Sequence, residues 1–297
     1  MKFKVAQCWD DGVYTDIRLI GILREYGAKA TFNLNPGNAP EETRGTSWGR
    51  FCEPPLHWGY RGFDAGKIAV KDWKHVYRGF KVASHCWKHE VAGRVSDEEF
   101  AEAAVKARKL LEDIFETSCP GFAWPCGIST PETVKLLKEA GFAYGRTTKA
   151  VDDVSACRET VTLDPNCHFA DNKFREKYMR VKEQGGVFYF WGHSYEMMDC
   201  EGMWDQLEQK IRFISEDPDG AEDPLHQRGS RRRVVRRDRP RPALRQVKPT
   251  HKTLRAPREN AGARFFRQKA VSCRRPARPD GGCKGCSARR PATGSTP

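Results

Sequence analysis

The sequence has no long apolar run. None of its 297 residues lies in an uninterrupted apolar stretch of about 20, the length that a membrane-spanning helix needs. The first residues, MKFKVAQ, alternate like a strand and lack the apolar segment of a secretory signal. We therefore expect a cytoplasmic protein that does not act at a membrane.

Cysteine shows no repeating framework. Of the 11 cysteines, eight lie before residue 223, at irregular spacings. This pattern excludes a small disulfide-stapled fold, and in a domain of this size without an export signal we expect reduced thiols.

Most of the chain lacks any excess of basic charge, although the formal net charge is +13. Residues 1–222 contain 30 Lys/Arg against 35 Asp/Glu, whereas residues 223–297 contain 22 against 4. Nucleic-acid binding is therefore expected of the basic tail alone, because only the tail can attract phosphates strongly.

That tail, residues 221–297, contains no Ile, Met, Trp or Tyr and half of the 18 prolines. It has no helix or strand period, so we predict a disordered Arg/Pro-rich segment after a domain over residues 1–220. Three interpretations stay open: an arm that binds nucleic acid or another polyanion, a metal knuckle at Cys283 and Cys286, and an out-of-frame translation. The third is favoured because the composition changes abruptly after Pro218.

Before the tail, apolar patterns of period two alternate with patterns of helical period. This alternation predicts an α/β fold with mostly parallel strands, and about seven units favour a barrel-like domain over an open sheet. The predicted strands are Met1–Trp9, Ala28–Leu34, Phe80–Ser84, Gly121–Pro125, Phe142–Arg146, Thr160–Leu163 and Gly186–Gly192, and the predicted helices are Thr15–Tyr26, Ala69–Tyr77, Ser96–Glu116, Thr130–Ala140, Asn172–Gln184 and Gly202–Ser215.

Polar residues follow four of these strands directly. The segments are Asp10-Asp11, His85, Trp124–Gly127 and His193. Ligand-binding residues gather at the carboxyl ends of parallel strands, so we expect these side chains to converge on one face.

Two of the converging residues, together with the nearby His89, form a candidate metal site. Asp11, His85 and His89 offer one carboxylate and two imidazoles, a set that leaves positions on the ion open for water and substrate. A His-x3-His pair alone is more often two unrelated histidines, but convergence with Asp11 favours ligation, with both rings on one side if the segment is helical. We predict one divalent cation, Zn²⁺ first, with Co²⁺, Ni²⁺ and Mn²⁺ as alternatives.

Such a site suits hydrolysis of an amide. A bound metal lowers the pKa of a water molecule and polarises a carbonyl oxygen, while the reaction also needs a base and an acid. We predict that Asp10 accepts the proton of the attacking water and that His193 protonates the leaving nitrogen. The backbone N–H of Cys126 is a candidate for stabilising the oxyanion.

Four segments resemble the motifs of the polysaccharide deacetylases, carbohydrate esterase family 4 or the NodB homology domain. In order, CWDDG at 8–12 resembles T-F-D-D-G, HCWKH at 85–89 resembles H-[ST]-x-x-H, FAWPCG at 122–127 resembles F-R-x-P-Y-G, and WGH at 191–193 resembles L-x-H. The resemblance covers roughly residues 1–215. It implies a distorted, incomplete (β/α) barrel, a zinc-type metal, a base from Asp10 and an acid from His193.

The sequence also departs from the family pattern. Ala123 stands where the family has the Arg that orients the catalytic Asp, and Cys86 stands where it has the Ser/Thr that supports the metal-site loop. No Asp-x-x-x-Trp motif is found to support His193. Glu196 is a candidate for that role. The favoured alternative is that Glu196 is merely an exposed residue at the start of a helix.

Further candidates surround the predicted centre. Trp124 and Trp191 are candidates for its apolar wall, with core packing as the favoured alternative. His168 is a candidate for a substrate contact, with a plain structural role as the alternative.

These features favour a hydrolase of a non-peptide carbon–nitrogen bond, acting on an N-acetylated sugar. The alternatives are hydrolysis of a cyclic amide or imide on the same fold, a catalytically impaired carbohydrate-binding relative, and a polyanion-binding protein whose tail is the working part. Retention of Asp10, His193 and both metal-site histidines argues against the impaired relative.

Overall fold

The protein is described by a computed structural model that covers residues 3–48, 59–60, 63–199 and 202–219. The Arg/Pro-rich tail, with its polyanion, metal-knuckle and frameshift interpretations, lies outside the described residues. Within them, no helix combines the length and apolarity needed to cross a bilayer.

Strands and helices alternate along the chain, as predicted. The strands are β1 (Lys4–Asp10), β2 (Thr31–Leu34), β3 (Ser47–Trp48), β4 (Gly59–Tyr60), β5 (Phe63–Asp64), β6 (Lys81–Ser84), β7 (Gly121–Ala123), β8 (Tyr144–Arg146), β9 (Cys167–His168) and β10 (Val187–Gly192). The helices are α1 (Asp16–Glu25), α2 (Val70–Val76), α3 (Asp97–Phe115), α4 (Pro131–Glu139), α5 (Phe174–Gln184) and α6 (Met203–Ser215).

Seven strands form one parallel sheet in the order β8-β7-β6-β2-β1-β10-β9. The sheet curls into a half-barrel covered by helices, which confirms the predicted incomplete (β/α) barrel. Strands β3, β5 and β4 form a small antiparallel sheet in the segment between β2 and α2. Because all seven main strands are parallel, their carboxyl ends share one edge of the sheet.

Two details differ from the prediction. Residues Thr160–Thr162 form a short 3-10 helix, and only Leu163 reaches the sheet, through a single parallel bridge to Arg146. The seventh strand is instead β9, two residues long. A strand this short gives no alternation to recognise in a sequence.

The helix starts follow their capping residues. Ser96 Oγ accepts a hydrogen bond from Glu99 N at 3.1 Å, as the Ser-x-x-Glu spacing predicts for the start of α3. Thr130 Oγ1 accepts one from Thr133 N at 3.1 Å, with Pro131 in the first turn of α4.

The core is rich in aromatic side chains that lie between the sheet and the helices. Burial of such large side chains supplies most of the stability of a domain of this kind. The largest fully buried ones include Trp9, Phe32, Trp73, Tyr77, Tyr178, Phe188 and Phe190.

Candidate active site

The predicted metal ligands meet at the carboxyl edge of the sheet. Asp11 directly follows β1, and His85 directly follows β6. One possible ligand atom from each of Asp11, His85 and His89 lies within 4.8 Å of the other two. His85 Nε2 is 3.8 Å from Asp11 Oδ1, and the rings of His85 and His89 are 4.7 Å apart.

The two histidines are brought together by a tight loop and not by a helix. Cys86 and His89 have φ angles of 60° and 65°, in the left-handed region that reverses the chain direction. Asp11 is also left-handed, with φ 86°. The segment is therefore not helical, although the two rings still lie on one side.

The two imidazoles are in the protonation state that leaves a nitrogen lone pair free next to Asp11. His85 Nδ1 lies 2.8 Å from the carbonyl oxygen of Ala123, so Nδ1 carries the proton and Nε2 faces Asp11. Burial lowers the pKa of His85, and burial with the neighbouring His85 lowers the pKa of His89 to about 4. Both rings are therefore neutral at pH 7, the form that binds metal.

The carboxylate of Asp11 is kept ionised. Burial opposes its charge, but Lys67 and the nearby histidines outweigh burial and hold the pKa of Asp11 well below its usual value. Asn35 Nδ2 donates to Asp11 Oδ1 at 3.1 Å, and Lys67 Nζ donates to the Asp11 carbonyl oxygen at 2.6 Å. These contacts fix the left-handed turn that presents the carboxylate.

Asp10, the last residue of β1, is buried next to this cluster. Asn33 Nδ2 donates to its Oδ1 at 2.7 Å, and Arg146 donates to its Oδ2 in a buried ion pair. Burial raises the pKa of Asp10, but Arg146, His85 and His193 together outweigh burial and keep that pKa below its usual value. Asp10 Oδ2 also lies 4.0 Å from His85 Nε2 and 3.9 Å from His193 Nε2.

Arg146 is a site residue that the sequence did not reveal. The departure at Ala123 predicted an Asp10 without its arginine, whereas Arg146 is paired with Ala123 in the register of β7 and β8. The arginine thus comes from the neighbouring strand. Its guanidinium also lies over Trp191, with the guanidinium carbon 4.7 Å from the ring centroid.

His193 follows β10 and has a carboxylate partner. Its Nδ1 lies 3.2 Å from Glu196 Oε2, and its backbone N–H donates to the same oxygen at 3.1 Å. Its Nε2 points toward the centre, 3.9 Å from Asp11 Oδ2. Burial opposes the charged ring, but Glu196 and the two aspartates raise the pKa of His193 to about 10. The favoured expectation of an exposed Glu196 is therefore wrong.

The remaining candidates lie in different environments. Trp124 is fully buried, stacks on Phe100 at 5.4 Å and donates to the Val161 carbonyl oxygen, so the structure places it in the core. Trp191 is buried between the rings of His168 and His193, at 4.7 and 5.4 Å.

Cys126 and His168 complete the predicted set. Cys126 is half-buried at φ 57° in the turn after β7, and its role in stabilising an oxyanion stays a prediction. His168, at the end of β9, lies with Nε2 2.8 Å from Glu196 Oε2.

Comparisons with known proteins agree with this fold. The family model of polysaccharide deacetylases matches residues 1–145. The described fold is similar to that of a Mycobacterium smegmatis protein assigned to the polysaccharide deacetylases, with 16% identity, TM-score 0.51 and coverage of 74% of this chain and 86% of that one.

Two further similar structures are of acetate complexes. Deacetylase PplD of Streptococcus pyogenes has 19% identity and TM-score 0.42, and the match covers 53% of this chain and 61% of that one. A family 4 carbohydrate esterase of Streptomyces lividans has 12% identity and TM-score 0.43, with 71% of this chain and 88% of that one covered. The chain thus spans less than two thirds of the streptococcal protein.

No curated protein matches. The match shows that residues 1–145 belong to a domain of the polysaccharide deacetylases, a family of amide-hydrolysing enzymes.

Proposed function

We propose that this chain is a metal-dependent hydrolase that removes the acetyl group from an N-acetylated sugar. The observation that carries the proposal is the meeting of three metal-type ligands with a buried Asp and a buried His at one edge of the sheet. The match of residues 1–145 to the polysaccharide deacetylase model supports the acetamide as the bond that is cleaved.

The donor set fits a divalent cation of the zinc type. Asp11, His85 and His89 would hold the ion, with one ionised carboxylate and two neutral imidazoles. The hydrogen bond from His85 Nδ1 to the Ala123 carbonyl is the usual support of a metal-binding histidine. When bound, the ion supplies Lewis acidity for a water molecule and for the amide carbonyl.

The chain's own residues supply the proton transfers. Asp10 is ionised and held in place by Asn33 and Arg146, so it accepts the proton of the attacking water. His193 directs its Nε2 to the same space while Glu196 holds Nδ1, so it donates a proton to the leaving nitrogen.

Two of the other candidate functions lose their main support. The cyclic amide alternative and the impaired relative both depend on Ala123, which stands in place of the family arginine. Arg146 forms the ion pair with Asp10 that the family arginine would form. We therefore propose the deacetylase over both.

A single substitution tests the assignment of the base. We expect Asp10→Asn to lower kcat for acetate release from N-acetylated sugar oligomers by about 10²–10⁴, because the amide accepts no proton. The matched control is Asp205→Asn on the exposed face of α6, which should retain full activity. Equal acetate release by Asp10→Asn and the wild type, measured with the same metal content, contradicts the proposal.

A further inference from the structure

A second histidine reaches the carboxylate that holds His193. Glu196 Oε2 lies 2.8 Å from His168 Nε2 and 3.2 Å from His193 Nδ1, and it accepts the His193 backbone N–H at 3.1 Å. Three donors therefore converge on one oxygen. The side chains of Glu196 and His168 are only 15% and 24% exposed, so water competes weakly for these contacts.

The orientation of His168 is fixed from its other side. The backbone N–H of Ala170 donates to His168 Nδ1 at 3.3 Å, which makes Nδ1 an acceptor. In the neutral ring the proton is then on Nε2, the atom that faces Glu196. Both ring nitrogens of His168 are thus engaged within the chain.

The two imidazoles form a tilted ring pair and are not joined by a direct hydrogen bond. Their centroids are 6.4 Å apart, and Trp191 lies against both rings. The polar link from His168 to His193 therefore runs through Glu196.

From this geometry we propose that His168 is a positioning residue: it orients the Glu196 carboxylate, which in turn aims Nε2 of His193 at the leaving nitrogen. The proposal rests on the proposed function of His193 as the acid. It replaces the expectation that His168 contacts substrate, because the ring has no nitrogen left for that contact.

Kinetics of two substitutions separate this role from a steric one. His168→Phe keeps a ring but removes the donor, and we expect it to lower kcat about 10- to 100-fold with KM nearly unchanged. His168→Gln keeps an N–H near the position of Nε2, and it should restore most of that loss. Equal losses in both variants, or a raised KM at unchanged kcat, overturn the proposal.

A double-mutant cycle with Glu196→Gln tests whether the effect passes through the carboxylate. In the Glu196→Gln background, His168→Phe should change kcat by less than about twofold, because coupled residues are not additive. A full independent loss in that background overturns the proposal.

A readout independent of turnover is the nitrogen NMR spectrum of ¹⁵N-histidine-labelled protein. We expect the Nε2–H tautomer for His168 in the wild type and shifted signals of both His168 and His193 in Glu196→Gln. An Nδ1–H tautomer, or signals that Glu196→Gln leaves in place, overturns the proposal. Absence of acetate release by the wild type rejects the proposed function instead, and the tautomer measurement still decides the inference.

Discussion

At the level of single residues, the pairing of Arg146 with Asp10 explains how the site tolerates Ala123. Paired residues on adjacent parallel strands project to the same side of a sheet, so an arginine on β8 reaches the carboxylate that one on β7 would reach. The sequence predicted the base but not its partner, because strand register cannot be deduced from linear spacing.

Loss of this arginine should damage both stability and activity. We expect Arg146→Ala to lower the free energy of unfolding by about 3–5 kcal/mol, since it leaves Asp10 buried without its cation. Urea denaturation and acetate release measure the two effects. The second substitution Ala123→Arg in this background should recover part of kcat.

The matched control for this experiment is Arg180→Ala, which removes an exposed arginine of α5 that pairs with Asp152 and Glu176. Exposed pairs contribute little, so stability and kcat should stay close to those of the wild type. If Arg146→Ala behaves like this control, the support of Asp10 by Arg146 is refuted.

Asp16 makes stability depend on pH. Burial raises the pKa of its carboxyl to about 7, although Ser194 and Tyr77 donate to it. A raised pKa means that the neutral form stabilises the fold; this contribution is complete below pH 4 and is lost as the pH rises through 7.

Asp16→Asn stays neutral at every pH. We therefore compare the unfolding free energy of Asp16→Asn with that of the wild type at pH 5 and pH 9. The difference, variant minus wild type, should rise by a few kcal/mol between these values, because each unit of pKa shift corresponds to about 1.4 kcal/mol. Urea denaturation at the two pH values measures the change. A difference between variant and wild type that is the same at both values rejects the argument.

At the level of elements, the turn after β7 is constrained by close approach. Gly127 has φ +71°, and a Cβ there would lie 2.1 Å from Thr148 Oγ1 and 2.7 Å from its backbone N. The sequence pattern extends the strand to Pro125, whereas β7 ends at Ala123 and Cys126 is left-handed.

Gly127→Ala should therefore cost more than backbone strain alone. The control is Gly27→Ala, where φ is +65° and an added Cβ would meet nothing within 4 Å, so it carries only the strain of about 1 kcal/mol. We expect Gly127→Ala to lower Tm clearly further than Gly27→Ala. Equal Tm values would show that Thr148 moves away freely.

At the level of the whole molecule, the α/β class and the clustering at the strand ends were predictable. Long helices such as α3 carry clear periodicity and caps, and polar residues directly after apolar strands mark the functional edge. The strand order β8-β7-β6-β2-β1-β10-β9 was not predictable, because contacts between distant segments leave no trace in local pattern. The same limit hid the contact of Glu196 with His168.

The central claim is that Asp11, His85 and His89 hold one divalent metal ion. Elemental analysis of the full-length chain after saturation and desalting tests it most directly, with His89→Ala as the test variant and His75→Ala, on the exposed face of α2, as the control. We predict about one ion per chain in the wild type and in His75→Ala, and almost none in His89→Ala. A wild type without stoichiometric metal, or a His89→Ala variant that retains it, would contradict the account.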